Sequence, residues 1–580
     1  MALEKPLPQI SSLKPRKAKL KLSKLEVDFG SAMNHHLVFF ENPYLPAPFQ
    51  KAVFTMQINR RDFIRQAGTI VVGTGFLPIA TENLWGQTES LPMSTPEAQG
   101  VSSQGILDFL DAIGKSRHEF HGFVLVRNGH IVAQGWWSPY RPDLNHSMYS
   151  MSKSFTSTAI GFAVTEKLLT VQDKVISFFP NELPEVVSDH LKAMTVKHLL
   201  SMSVGHATDT TWEMVQTDNW VKNFLSFPVE KAPGSEFLYN SGATYMLSAI
   251  LQKVTGKTVL EWLTPRLLKP LGIGGATWDN CPMGNNTGGW GMHLTTGALA
   301  KFGQFLLQKG KWEGRQLLPA SWVEEATTFQ IQNGTPEAKE TSDWAQGYCY
   351  QFWRCRHNAY RGDGAFGQYT IVMPEQNAVL AIHSESPDMQ DQLNLVWKHL
   401  LPAMRSGTLA ANPNAAADLK ARLATLAIEP PKLAATSPLV TKISGRTYQV
   451  EPNENQVSQV SFSFKKDCCD FKLKNHLGEF TLTCGINHWQ KGKTRMPGTP
   501  PDLFPILYEK LTTSKVLASA GWKDENTLML YTQFYETAHH DTITCRFTGD
   551  TVEVTFLNSV SGMLPDFVKE KRVALKGKII

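Results

Sequence analysis

The spacing of apolar and polar positions changes character along the chain. From about residue 101 the first periodic segment, Gly105 to Ile113, has helical spacing. Two apolar runs, Gly122-Phe-Val-Leu-Val and His130-Ile-Val-Ala, then flank Asn128-Gly129. Asn-Gly between such runs predicts a tight hairpin, because both turn residues must take positive φ. Helix-like sequence follows over Ser150 to Leu169 and again over Ala243 to Val254. Tyr348 to Arg354, Tyr369 to Met373 and Asn377 to His383 are predicted as strands, and Met389 to Leu400 as a closing helix. Strands early and late with helices between predict one sheet, edged by segments from opposite ends of the unit and covered by helices. Residues 406–438, with Pro430-Pro431 at the centre, are expected to form a linker with one short helix. Beyond it the period shortens. Val457 to Phe464, Phe480 to Cys484, Thr527 to Tyr531, Thr542 to Phe547 and Val552 to Phe556 alternate and are divided by Gly, Asp and Asn turns. Residues 439–580 are therefore expected to form an antiparallel sheet or small barrel. The fold class is α/β (α+β), with the main unit over 101–405.

Ahead of this lies a different kind of segment. Residues 59–80 carry Arg60-Arg61, Phe63 and then a short, mildly apolar run ending at Ala80. The run is too short to span a bilayer, and the layout resembles a twin-arginine export signal. Residues 56–80 are read as that signal, 81–100 as a polar linker containing Pro92 and Pro96, and 1–55 as an extension without function. Translation from Met56 would place the signal at the N-terminus. This reading expects the export machinery as a partner and a periplasmic or secreted location. No other stretch is apolar and long enough to cross a membrane.

Length and composition narrow the classes. A chain of 580 residues predicts two or three domains, and 42% apolar with 19% charged residues fits a well-buried globular protein. Much of the basic excess behind the net charge of +5 lies in the first tail: Lys5, Lys14, Arg16, Lys17, Lys19, Lys21 and Lys24. With no arginine–aromatic stripe or recognition-helix pattern, nucleic acid is not an expected partner. The seven cysteines are too scattered for a disulfide framework and lack zinc-ligand spacing. They are expected to be small buried hydrophobes, with pairing of Cys349 and Cys355 left open.

Three elements carry candidate chemistry. In Ser150-Met-Ser-Lys153 the serine and lysine stand at i and i+3 and share a helix face. Serine needs a base to act as a nucleophile at neutral pH, and burial would disfavour a charged Lys153 and suit it to that task. Ser152 is the competing hydroxyl, but it points elsewhere on the helix. In Phe237-Leu-Tyr239-Asn240-Ser241, Tyr239 precedes a helix and can present its phenol to a cleft, with its proton loosened by a neighbouring ammonium. Ser241 could bridge Tyr239 and Lys153. In Tyr360-Arg361-Gly362-Asp363-Gly364-Ala365-Phe366-Gly367 the spaced glycines permit close approach of another group. The backbone N–H of Ser150 and one near Gly364 or Ala365 could then form an oxyanion hole. Residues 439–580 offer no nucleophile–base set, and His539-His540 are expected in an exposed loop. The task expected of that region is packing on the main unit or shaping its entrance.

On these residues the chain resembles the serine beta-lactamase and penicillin-binding-protein superfamily. Within it the likeness is to the class C-like branch with esterases, D-aminopeptidases and 6-aminohexanoate-dimer hydrolases. The resemblance covers roughly 101–405. It rests on Ser150-Met-Ser-Lys153, Tyr239-Asn-Ser241 and Gly362-Asp-Gly364, with Leu199-Leu-Ser-Met-Ser-Val-Gly205-His206, Gly288-Gly-Trp290-Gly-Met292 and Lys301-Phe-Gly303 as framework. It implies a beta-lactamase/transpeptidase-like fold: a mixed sheet of five or more strands flanked by helices, plus a helical lobe, with the site between them. It also implies acyl transfer through Ser150, with Lys153 and Tyr239 handling the proton and no metal or organic cofactor. The third motif of that family begins with Lys or His, which holds a substrate carboxylate; Gly362 stands here, and Arg361 is the one nearby replacement. The second motif ends in Ser241 where beta-lactamases more often carry Asn. Both departures favour a small-molecule ester or small amide as substrate over a penicillin. Trp290, Tyr348, Tyr350, Trp353 and Phe366 are candidate substrate walls. The expected function is a serine hydrolase, with a D,D-peptidase or beta-lactamase, or a non-catalytic binding or sensor protein of the same fold, as alternatives.

Overall fold

A computed structural model of the chain describes residues 36–41, 51–56, 71–72, 75–76, 91–501, 511–563, 570 and 572–580. Two compact units divide it, Met1–Leu84 and Trp85–Ile580. In the first, His36–Glu41 pairs antiparallel with Lys51–Met56, and Val71–Val72 with Gly75–Phe76. Arg60, Arg61 and Phe63 of the signal-like segment lie outside the described residues.

The second unit begins with helix α1 (Ser103–Gly114) and the hairpin β1 (Glu119–Arg127) and β2 (His130–Trp136). The turn has the backbone its sequence demands, with Asn128 at φ 51° and Gly129 at φ 77°. Helices α2 (Ser152–Thr165), α3 (Ser241–Thr255) and α4 (Thr296–Leu307) follow. Strands β3 (Trp353–Arg354), β4 (Tyr360–Gly364), β5 (Gln368–Met373) and β6 (Ala378–Glu385) then complete a six-stranded sheet in the order β3-β4-β5-β6-β1-β2. Each of its pairings is antiparallel. The resemblance implied a mixed sheet. Here β3 to β6 are successive antiparallel neighbours, and β6 runs back beside β1 without a βαβ crossover, so no parallel pair arises.

Both faces of the sheet are buried, which explains the near-continuous apolar runs. Val124 and Val126 of β1 with Val379 and Ala381 of β6 face one core, shared with α2, α3 and α4. Phe123, Leu125, Leu380 and Ile382 face a second core with Ile106 and Phe109 of α1 and Trp397. The helix predicted over Met389–Leu400 is α-helical as α5 (Met389–Leu395) and continues with wider π winding over Val396–Leu400. The strand predicted over Tyr348–Arg354 shrinks to β3, because Tyr348 and Tyr350 turn into the core and Gln351 takes φ 63°. Residues from Leu91, placed in the linker by sequence, pack on the unit: Leu91 is buried and Ser94 N–H donates to the Ile131 carbonyl at 3.0 Å.

Residues 406–438 hold one longer helix, α6 (Pro413–Ala424), and lead into a barrel. Its strands are β7 (Arg446–Val450), β8 (Gln459–Phe464), β9 (Cys468–Asn475), β10 (Gly478–Ile486), β11 (Gln490–Thr494), β12 (Ser514–Asp524), β13 (Thr527–Gln533), β14 (His540–Thr548), β15 (Thr551–Asn558) and β16 (Leu575–Ile579). They lie in the order β10-β9-β8-β7-β16-β15-β14-β13-β12-β11. A parallel contact between β10 and β12, Gly485 opposite Ser519, closes the ring. Alternate residues such as Val460, Phe462, Phe471, Leu528, Leu530 and Val554 fill the interior. All seven cysteines are free, Cys349 and Cys355 included. Among the described residues no helix is long and apolar enough to cross a membrane.

Candidate active site

Ser150 sits in a single 3-10 turn, Tyr149–Met151, that runs straight into α2. Tyr149 has φ 47°, a left-handed conformation that costs a non-glycine residue roughly 1–2 kcal/mol. Ser150 is half-exposed, whereas α2 is buried on all sides from Ser152 to Ala163. Its sequence accordingly lacks a charged outer face, the polar positions other than Lys153 being Ser and Thr. Ser152 is occupied structurally: its Oγ donates to the Tyr149 carbonyl at 2.6 Å and accepts from Met292 N–H at 3.1 Å.

Lys153 is 2% exposed. Its Nζ lies 2.9 Å from Ser150 Oγ and 2.8 Å from the Gly289 carbonyl. Burial disfavours the ammonium and lowers its pKa to about 7, against the opposing pull of the Asp209 and Asp363 carboxylates. A neutral amine beside a serine hydroxyl can accept its proton. The sequence reading gave the bridging position to Ser241. The Gly289 carbonyl is the second acceptor for Lys153, and Ser241, first residue of α3, instead gives its backbone N–H to Asp209. Gly289 is a glycine for want of room, since a Cβ there would stand 3.0 Å from the Ser241 carbonyl oxygen.

Tyr239 is brought in by the turn ahead of α3, which Asn240 caps by accepting from Ala243 N–H. Its phenol lies near Ser150, and Lys153 Nζ lies 4.8 Å from its ring centroid. The ring stacks on Trp353 at 5.5 Å and meets Tyr348 edge-on. Sequence suggested a phenol made more acidic by a neighbouring ammonium. The structure reverses this: burial, reinforced by the charge of Asp363, raises the Tyr239 pKa well above the usual phenol range. Tyr239 therefore stays a neutral phenol, and it can pass a proton on only as it receives another.

Strand β4 lies directly against the turn that carries Ser150. A Cβ on Gly362 would fall 2.5 Å from Met151 Sδ and from Ser154 Oγ, and one on Gly364 2.0 Å from the Met148 carbonyl oxygen. These glycines let β4 touch the backbone of the serine turn at Met148, beside half-exposed Ala365.

The proposed replacement cation fails. Arg361 is fully buried and committed, with Nε 3.0 Å from Asp363 Oδ2, Nη1 2.9 Å from the Asp343 carbonyl, and its guanidinium 4.2 Å above the Trp344 ring. It cannot reach a substrate. Three wall candidates are likewise corrected. Trp290 is buried and stacked on Trp220 at 5.8 Å. Phe366 turns away at φ 65° to pack with Ala538 and Val560 of the barrel. Tyr350 is core, with its hydroxyl donating to Glu325. Tyr348 and Trp353 act on the site by holding Tyr239.

His539 and His540 are not in an exposed loop, because docking of the barrel carries them to the end of the catalytic sheet. His539 is buried, takes the Tyr149 phenol at Nε2, and reaches Glu385 Oε1 with Nδ1 at 2.8 Å. His540 lies beside the same carboxylate, at 2.9 Å. Nothing near these residues in sequence marks them, since their partners lie 154 or more positions away. Asp209 and the Gly289 carbonyl were missed for the same reason.

Residues 114–400 match the family model described as Beta-lactamase. A 6-aminohexanoate-dimer hydrolase from Paenarthrobacter ureafaciens is 23% identical over 290 residues, which cover 46% of this chain and 72% of that protein. Among solved structures, the octameric penicillin-binding protein homologue from Pyrococcus abyssi aligns at 15% identity with a TM-score of 0.42, covering 82% of this chain and 99% of that one. A family VIII carboxylesterase aligns at 15% identity with a TM-score of 0.41, covering 59% and 99%.

Proposed function

Because residues 114–400 form a domain of the beta-lactamase family, we propose that the protein is a serine hydrolase that forms an acyl-enzyme on Ser150 from an ester or a small amide. One observation carries this reading: Lys153 Nζ stands 2.9 Å from Ser150 Oγ with its pKa lowered to about 7 by burial. At neutral pH much of the amine is uncharged and can take the hydroxyl proton as Oγ attacks the carbonyl. The oxyanion is met by the Ser150 N–H and a backbone N–H of the Gly364–Ala365 turn, pressed against the serine by β4. The proton taken by Lys153 passes to the departing alkoxide or amine with Tyr239 as relay, so the phenol ends protonated, as its raised pKa requires. Water then attacks the acyl carbonyl and releases Ser150.

The choice of an ester or uncharged amide rests on what is missing around the serine. Gly362 stands where the family carries Lys or His, and Arg361 is sealed in its pair with Asp363. The amide half of the reading also draws support from the relative named as a 6-aminohexanoate-dimer hydrolase. Arg60-Arg61 with Phe63 supports export by a twin-arginine route. The test is mass spectrometry after exposure to a fluorophosphonate probe. One adduct on Ser150, lost in Ser150→Ala, is expected; a folded protein that remains unlabelled would remove the proposal.

A further inference from the structure

Glu119 and Glu385 stand directly opposite one another at one end of the β6–β1 ladder. Like charges in that position repel, and Glu385 is 2% exposed, so its charge is desolvated as well. The first residue of β14, His540, comes from the barrel to the same point. One ligand-capable atom from each of Glu119, Glu385 and His540 lies within 4.8 Å of the other two.

The surrounding bonds orient these groups. Glu385 Oε1 accepts from His539 Nδ1 at 2.8 Å and from Ser559 Oγ at 2.5 Å. Glu119 Oε1 accepts from His121 Nε2 at 3.1 Å and from Gln533 Nε2 at 2.9 Å. One oxygen of each carboxylate is thus pinned by outer donors, as the outer partners of metal ligands commonly do. The remaining oxygen of Glu385, Oε2, is buried and makes no aligned hydrogen bond, and neither does buried His540 Nδ1. The two atoms are nonetheless 2.9 Å apart. Atoms that approach so closely without hydrogen-bond alignment can share a third point between them. Two ligands at about 2.0–2.2 Å from one ion stand roughly 3.4 Å apart at the tetrahedral angle, so the pair needs to open by only about 0.5 Å to admit one.

We propose that Glu119, Glu385 and His540 form a binding site for a divalent transition-metal ion, zinc in type, at the seam between the catalytic sheet and the barrel. Two carboxylates and one imidazole, which releases its proton as the ion binds, give a donor set that suits such an ion and leave it a net charge of zero. The half-exposed side chains of Glu119 and His540 give the ion a way in and leave a coordination position for water. Bound there, it cancels the Glu119–Glu385 repulsion and ties strands β1 and β6 to β14. It also fixes Glu385, whose other oxygen holds His539 against Tyr149.

The test is metal content and affinity of the whole chain, independent of any hydrolysis. Protein stripped with chelator and dialysed against zinc is expected to retain one equivalent, with a rise in Tm. Cobalt in its place should give a visible absorption band. Glu119→Gln and His540→Ala should each weaken zinc binding at least tenfold, while Ser150→Ala binds as wild type. Magnesium should not compete. Wild-type protein that takes up neither zinc nor cobalt would mean that a proton on His540 alone balances the carboxylates, and the proposal fails. It fails equally if folded Glu119→Gln and His540→Ala, checked by circular dichroism, bind zinc as tightly as wild type.

Discussion

Tyr149, the residue before the proposed nucleophile, donates its phenolic hydrogen bond to His539 of the barrel while its own backbone is held at φ 47°. The catalytic turn is thus braced by a residue almost 400 positions away in sequence, and 390 separate the two partners. Left-handed backbone at tyrosine is unfavourable by roughly 1–2 kcal/mol, and the brace offsets that cost. His539→Phe is therefore expected to slow probe labelling of Ser150 about tenfold, the rate equivalent of that energy. Glycine adopts positive φ without penalty. In a Tyr149→Gly background the His539→Phe change should accordingly have little further effect. Equal losses in both backgrounds would show that His539 acts by some other path.

The pKa of Lys153 gives a pH profile with a definite sign. The amine is active when deprotonated, so the acylation rate should be full above pH about 7 and fall about tenfold per unit below it. Lys153→Arg, which cannot deprotonate in this range, should be inactive at every pH tried. The same shift enters stability. The unfolded lysine keeps its proton up to a pKa of about 10.4, so the native state binds fewer protons between about 7 and that value and gains stability as pH rises through the window. The Tm of Lys153→Met relative to wild type should thus be highest at or below pH 7 and decline toward pH 10, as thermal unfolding at stepped pH would show.

Arg361 and Asp363 form a buried pair, with exposed side-chain fractions of 0% and 6%. Removing one partner leaves the other charge buried alone. Arg361→Met is expected to lower stability by about 3–5 kcal/mol in urea unfolding, and Arg361→Met with Asp363→Leu to recover most of it. A small loss in the single variant would mean that water reaches Asp363.

Gly364 tests the close approach of β4 to the serine turn. A Cβ there would stand 2.0 Å from the Met148 carbonyl oxygen, a backbone atom that cannot swing aside. Gly364→Ala should reduce Ser150 labelling more than a hundredfold while the barrel keeps its native near-ultraviolet circular dichroism. Labelling within a few-fold of wild type would place the oxyanion donors elsewhere.

Much of this was legible from local pattern. Asn128-Gly129 specified its turn by backbone chemistry, and Ser150 with Lys153 specified a shared face by helical spacing. Alternation from 457 onward specified strands that the barrel contains. What escaped depends on which distant segments meet. The Gly289 carbonyl reaches Lys153 across 136 positions. His539-His540 looked like a polar loop because the carboxylate that makes their burial tolerable, Glu385, comes from another domain's sheet. Arg361 looked available because its partner Asp363 is two residues on, and only strand geometry puts both side chains on one face. The run Tyr348–Arg354 had strand composition, yet Tyr348 and Trp353 turn to enclose Tyr239.

The last element of the barrel is inserted between its first and its penultimate strands: β16 pairs with β7 on one side and β15 on the other. During synthesis, then, the serine and lysine are in hand some 400 residues before the ring that braces them can shut. A ribosome-bound or clipped chain ending before Leu575 would carry the reactive pair with a gap beside β7, leaving His539 on an unfinished ring. The brace that His539 gives the serine turn thus rests on a ring whose closing strand is made long after both partners of the serine–lysine pair.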